Sequence, residues 1–261
     1  MTVQLDGFSM SPMTFDGKTR DVYRRGSGPG VIVMHEIPGI TPEVARFARI
    51  VADAGFTVLM PNLFGTPGRK MTPLYAGGGL ARACINHEFR VFAANETSPI
   101  ISWLRALCAA AHLELGGPGV GAIGMCLTGN FALALMVDEW MMAPVLSQPS
   151  LPFGVSRSSD RGLHISSEDL QIVKRRASAG VPLLGMRFTN DRMCPGARFD
   201  RLREELGDRF EAIEIDSAPG NAAGIGRTAH SVVTTDLVDE SGHPTRIALD
   251  RVLAFFAERL R

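Results

Sequence analysis

The chain has 261 residues, 45% of them hydrophobic, and its 27 Lys and Arg are balanced by 27 Asp and Glu. Zero formal charge removes the electrostatic basis for nucleic acid or an anionic membrane as partner, and no apolar run approaches the ~20 residues that span a bilayer. The opening MTVQLDGFSMSPMTFDG lacks the basic-then-apolar order of a signal peptide. Cys84, Cys108, Cys126 and Cys194 show neither metal-ligand spacing nor C-x-x-C, so reduced thiols in the cytoplasm, without a metal, are expected.

In chain order, MTFDGKTRDVYRRG reads as a hairpin turning at Asp16-Gly17. VIVMHE is a short apolar, β-branched run suited to a buried strand. After the turn IPGITP, the segment EVARFARIVADAG carries Val44, Phe47, Ala48, Val51 and Ala52 at helical spacing, with Gly55 ending the helix. FTVLMP is the next strand, stopped by Pro61. Residues 62–80 are rich in Gly and Pro and predict an irregular surface loop. A helical region runs from Leu80 to Leu115 with a break at Ser98-Pro99.

The alternation continues in the second half. GVGAIG reads as a strand, LTGNFALALMVD as a helix and MMAPVLSQ as a strand. A polar surface loop over 149–165 precedes the helix EDLQIVKRRASAG, with Ser166 or Ser167 as its cap. VPLLGMRF is a strand, TNDRMCPG a turn, ARFDRLREELG a helix, FEAIEID a strand and SAPGNAAGIGRTAHS a Gly-rich loop. The amphipathic helix TRIALDRVLAFFAERL closes the chain. Strands alternating with helices predict an α/β fold, a mostly parallel central sheet with helices on both faces. No linker or repeat divides the chain, so residues 1–261 are expected to form a single domain with edge strands over 1–28.

GVGAIGMCLTGNFALAL, residues 119–135, supports two readings. Gly119, Gly121 and Gly124 spell G-x-G-x-x-G, which would make the protein a nicotinamide-dependent oxidoreductase. A dinucleotide turn follows its strand, whereas here the preceding LELGGPG is a poor strand, so the glycines fall on the strand itself. Asp138, the candidate ribose-binding acid, falls at a helix end. Gly124, Cys126 and Gly129 read instead as a nucleophile elbow, a sharp strand-to-helix turn that exposes a reactive side chain. The helix N-terminus behind Cys126 supplies free N–H groups and partial positive charge, which favour thiolate over thiol and can hold an oxyanion. Thr128 stands where glycine is usual and is expected to crowd the turn. An inert thiol in a non-catalytic, small-molecule-binding relative is the remaining alternative.

A hydrolytic cysteine needs a histidine base and an acid to orient it. In an α/β-hydrolase these follow in the order nucleophile, acid, histidine, on loops after strand ends. Asp191 in TNDRMCP and His230 in RTAHS match order and placement. His87 and His112 fall on the long helical region, His164 in the polar loop, His243 before the last helix, and His35 ahead of the nucleophile.

VIVMHEIPGI, FTVLMPNLFG, IGMCLTG, TNDRMCP and AHS together resemble the dienelactone hydrolase family of α/β-hydrolases, over roughly residues 28–260. The resemblance implies hydrolysis of a small ester or lactone by a Cys126–His230–Asp191 triad without a cofactor. It also implies that Glu36 lies beside the resting thiol and responds to substrate, and that the Ile37 and Leu127 N–H groups form the oxyanion hole. Family members that cleave dienelactone bind its carboxylate through arginines, one a few residues after the histidine. Here that segment reads HSVVTTD, with Thr234 and no arginine. Arg82, Arg90 and Arg227 are the candidate substrate contacts, while the apolar segments LPFG and MMAPV, expected beside the pocket, suit a less charged ester.

Overall fold

Eight strands form one sheet in the computed structural model, which describes residues 4–72, 74–78, 98–150 and 160–261. Strands β1 (Ser9–Phe15) and β2 (Lys18–Arg25) make the expected hairpin, paired from Phe15↔Lys18 outward. Its two turn residues, Asp16 and Gly17, have φ of 49° and 72°, the positive pair that a two-residue hairpin turn requires. The other strands are β3 (Gly30–Met34), β4 (Thr57–Pro61), β5 (Val120–Met125), β6 (Met141–Ser147), β7 (Leu183–Phe188) and β8 (Phe210–Ile215). They lie in the order β1-β2-β4-β3-β5-β6-β7-β8, antiparallel at the β1 end and parallel from β4 to β8.

Helices among the described residues include α1 (Pro42–Asp53), α2 (Pro99–Leu115), α3 (Gly129–Leu135), α4 (Ser167–Ser178), α5 (Gly196–Leu206) and α6 (Pro244–Leu260). The α1 helix starts where Thr41 accepts the Val44 N–H and Pro42 takes a position that needs no N–H donor. It buries Val44, Phe47, Ala48, Val51 and Ala52, the stripe that its spacing predicts. Ser98 caps α2 with Pro99 as its first residue, so the proline expected to break a helix begins one. Ser166 caps α4 by accepting the Asp169 N–H, and His243 caps α6 by accepting the Thr245 N–H. No helix among the described residues is long and apolar enough to cross a membrane.

Alternate strand residues feed two hydrophobic cores. Ile32, Met34 and Ala122 pack with α2 to α5 on one face, and Val31, Val33, Ile123 and Met125 pack with α1 and α6 on the other. Strands buried on both faces read as continuous apolar runs, which is why they stand out in the sequence. From β3 the chain passes to β4 on one side and returns to β5 on the other. Such a reversal leaves a crevice beyond the carboxyl ends of the two central strands, the usual ligand position in an open α/β sheet.

Two expectations need correction. The MMAPV segment lies along β6 with Met141 opposite Val120, so it starts at the sheet end away from that crevice. Only its continuation, Ser147 opposite Met125, reaches the site. The helix expected from Leu127 begins as α3 at Gly129, after one tight 3-10 turn over Cys126–Thr128. In the two segments expected as surface loops, Leu63 and Tyr75 of the first, and Ser150, Leu163 and His164 of the second, are buried side chains. Arg82, Arg90, Cys84, His87 and LPFG lie outside the described residues.

Candidate active site

The site forms where β5 ends. Met125 is extended, and Cys126 then turns sharply with φ 53°, a left-handed conformation that costs a residue with a side chain roughly 1–3 kcal/mol. Two glycines make the turn sterically possible. A Cβ on Gly124 would sit 2.0 Å from the Thr128 carbonyl oxygen, and one on Gly129 would sit 2.4 Å from Pro149 Cα.

Thr128 does not merely crowd the elbow. It is fully buried, and its hydroxyl accepts the Met125 N–H at 2.9 Å. The single hydroxyl proton has the Met34, Met125 and His35 carbonyls at 2.9, 3.0 and 3.2 Å. One side chain thus ties the elbow to the end of β3. Cys126 itself is half-buried, whereas Cys108 and Cys194 are enclosed. Burial pushes the Cys194 thiol up to about 12 and raises Cys108 further, so these two are inert.

The β3–β5 register sets Met34 opposite Gly124. Ile37 and Leu127 each lie three residues beyond that pair, so both N–H groups leave adjacent strands at the same end. His35 fixes the path of the β3 loop. Its Nδ1–H donates to the Glu36 carbonyl at 3.1 Å, and Nε2 accepts the Leu63 N–H at 3.0 Å. Burial lowers its pKa to about 4, with a smaller lowering from Arg20 and opposition from the Glu36 bond. His35 is therefore a neutral structural ring.

Asp191 follows β7 and His230 lies in the loop after β8. His230 Nδ1–H donates to Asp191 Oδ2 at 2.6 Å, while Asp191 Oδ1 accepts the Met193 N–H at 2.9 Å. The ring faces the Cys126 sulfur with a buried Nε2. Burial opposes the charged ring, yet the imidazole is raised above its ordinary value, because the Cys126 charge and the Asp191 bond outweigh desolvation. The histidine loop is fixed in turn by Asp236, whose Oδ2 accepts the N–H groups of His230 and Ser231, both at 2.8 Å.

Glu36 is also buried, but its carboxylate faces the histidine loop. It accepts Ser231 Oγ–H at 2.7 Å, Thr234 Oγ1–H at 2.5 Å and Gln148 Nε2–H at 3.2 Å. None of these bonds runs to Cys126. Arg227 is exposed, and lines a cleft of about 530 Å³ with Asn190, Asp191, Arg192, Met193, Thr228 and Ala229. Sequence reading overlooks Gln148, Ser231 and Asp236. Ser231, in AHS directly after the histidine, offers a faint signal, and the polar Ser147-Gln148 pair ending the apolar run of β6 offers another.

The glycines of G-x-G-x-x-G have packing roles. A Cβ at Gly119 would meet the Trp140 carbonyl at 2.3 Å, and one at Gly121 would meet Phe256 at 3.0 Å. Asp138 is held by Arg105 through two bonds of 2.6 and 2.8 Å.

Comparison with known proteins accords with this arrangement. A curated protein of Saccharomyces cerevisiae, provisionally described as a carboxymethylenebutenolidase, is 24% identical over 205 residues, covering 75% of this chain and 70% of its own length. A crystal structure provisionally described as a dienelactone hydrolase, from Klebsiella pneumoniae, superposes with TM-score 0.65 at 17% identity, covering 96% of this chain and 98% of that one. The dienelactone hydrolase of Anabaena variabilis gives TM-score 0.61 at 14% identity, covering 97% and 98%. The model of the dienelactone hydrolase family matches residues 19–260, and the chain therefore belongs to that family, as an ester or lactone hydrolase of the α/β-hydrolase fold.

Proposed function

We propose that hydrolysis of a small ester or lactone proceeds by attack of the Cys126 sulfur on the acyl carbon, giving a covalent acyl-enzyme. The 2.6 Å contact between His230 and Asp191 carries this reading. It fixes the imidazole so that Nε2 faces the thiol, and Asp191 stabilises the imidazolium once the ring takes the proton. The same ring then protonates the leaving group and activates water to release the acid. The N–H groups of Leu127 and Ile37 hold the oxyanion, each such donor being worth about 3 kcal/mol. A nucleophile of this kind needs a reduced thiol, which suits the cytoplasmic setting expected from the sequence.

Glu36 belongs to this set as a buried carboxylate bonded to the histidine loop through Ser231 and Thr234. To exchange a proton with the thiol it would first have to release the Ser231, Thr234 and Gln148 donors. Arg82, Arg90 and Arg227 remain the candidate contacts for a charged substrate. The Thr234 hydroxyl, engaged with Glu36, places no cation where the family's arginine stands, and this favours neutral esters.

Cys126→Ala and His230→Ala should each abolish turnover of a short acyl ester while leaving the far-UV dichroism of the folded protein unchanged. Turnover at the native rate in either would reject the triad. A panel of short esters and unsaturated lactones, with and without a carboxylate, should show higher kcat/KM for the neutral members.

A further inference from the structure

Gln148 stands just past the end of β6 with φ 34°, a conformation that side chains rarely adopt, and is completely buried. Its backbone is fixed on both sides, with N–H donated to the Met186 carbonyl at 2.7 Å and its own carbonyl accepting Ser150 Oγ–H at 2.9 Å. Ser150 N–H donates to the Cys126 carbonyl at 2.9 Å, so this turn is continuous with the elbow. The side-chain amide bonds three partners. Nε2 donates to Glu36 Oε2 at 3.2 Å, while Oε1 accepts from Ser147 Oγ–H and from the Val232 N–H, the latter at 3.3 Å. Only one orientation of the amide satisfies all three partners, because the nitrogen must face the carboxylate and the oxygen the two donors.

We infer that Gln148 is a positioning residue for the proposed reaction, its amide locking the histidine loop and Glu36 to the tip of the sheet beside Cys126. The inference rests on the triad reading above. Val232 lies two residues after His230, and Ser231 and Thr234 bind the same Glu36 carboxylate that Gln148 holds. Removing the amide leaves a buried N–H and a buried carboxylate oxygen short of a partner, and the loop must shift to recover them. A shift of the loop moves the imidazole relative to the sulfur.

The test uses Gln148→Gly and Gln148→Asn, because both residues accept a left-handed backbone and so preserve the turn. Glycine has no amide, and asparagine is one methylene too short to span Glu36 and Val232. For a short acyl ester both variants should lose kcat on the order of tenfold or more, with KM changed less than about threefold, as for a misplaced reacting group. Alkylation of Cys126 by iodoacetamide, followed by mass spectrometry, should slow in each variant but show no further slowing when either is combined with His230→Ala. Native kcat in both variants would overturn the inference, as would an equal slowing of alkylation with His230 present or absent. If His230→Ala alone retains native turnover, the triad reading fails and this inference with it. If His230→Ala is inactive and the Gln148 variants are not, only the role of Gln148 is lost.

Discussion

At Cys126 the backbone holds a conformation that the residue itself disfavours, and its neighbours supply the compensation. The Thr128 hydroxyl is the central one, since it bonds Met125 and the end of β3 together. Thr128→Val keeps the shape but leaves the Met125 N–H without its acceptor, at a cost of about 1–3 kcal/mol. Thr128→Ser keeps the hydroxyl and should cost less. Urea midpoints and kcat measured side by side should rank Ser above Val on both scales, and the reverse order would refute the tethering role. Gly124 acts by absence. The 2.0 Å clash of an added Cβ is with backbone oxygen, which cannot rotate away, so Gly124→Ala should open the elbow, remove turnover and destabilise the fold by roughly 1–3 kcal/mol.

At the scale of elements, the loop after β8 carries the histidine without regular structure, and two carboxylates organise it, Glu36 through the Ser231 and Thr234 hydroxyls and Asp236 through backbone N–H groups. Asp236→Ala would strip the acceptor from the His230 and Ser231 N–H groups, and the loop would lose its local fold. Turnover should fall about 10- to 100-fold, while Asp236→Asn, which keeps one acceptor oxygen, should recover part of it. Native kcat in Asp236→Ala would show that other contacts suffice. The elements themselves were legible in the sequence, because strands buried on both faces and one-sided helices leave different periodicities. What periodicity could not convey was the break between Thr128 and Gly129, where tertiary contacts tighten the turn before the helix begins. Nor could it say which end of β6 meets the site, and MMAPV was misplaced for that reason.

Across the whole molecule, Asp191 and His230 could be found from chain order because each follows a strand, and their contact needed only the sheet to bring the two loops together. The Glu36 cluster could not, since its bonds to Gln148 and Ser231 span 112 and 195 residues and depend on the β3–β5–β6 neighbourhood. His35 shows the same limit. Its position beside Glu36 suggests chemistry, yet the structure makes it a neutral strut between the β3 loop and Leu63. That role carries a pH signature. An unfolded chain protonates the ring near 6.5 and the folded one near 4, so folding stability from this group is complete above pH 6.5 and drains away as pH falls, by about 3 kcal/mol at pH 4. His35→Gln, which cannot titrate, should be less stable than the native chain at pH 7 but lose less on acidification. Urea unfolding of both proteins between pH 7 and pH 4 measures the difference, and parallel losses would mean that His35 is protonated in the fold or that other groups govern the acid limb.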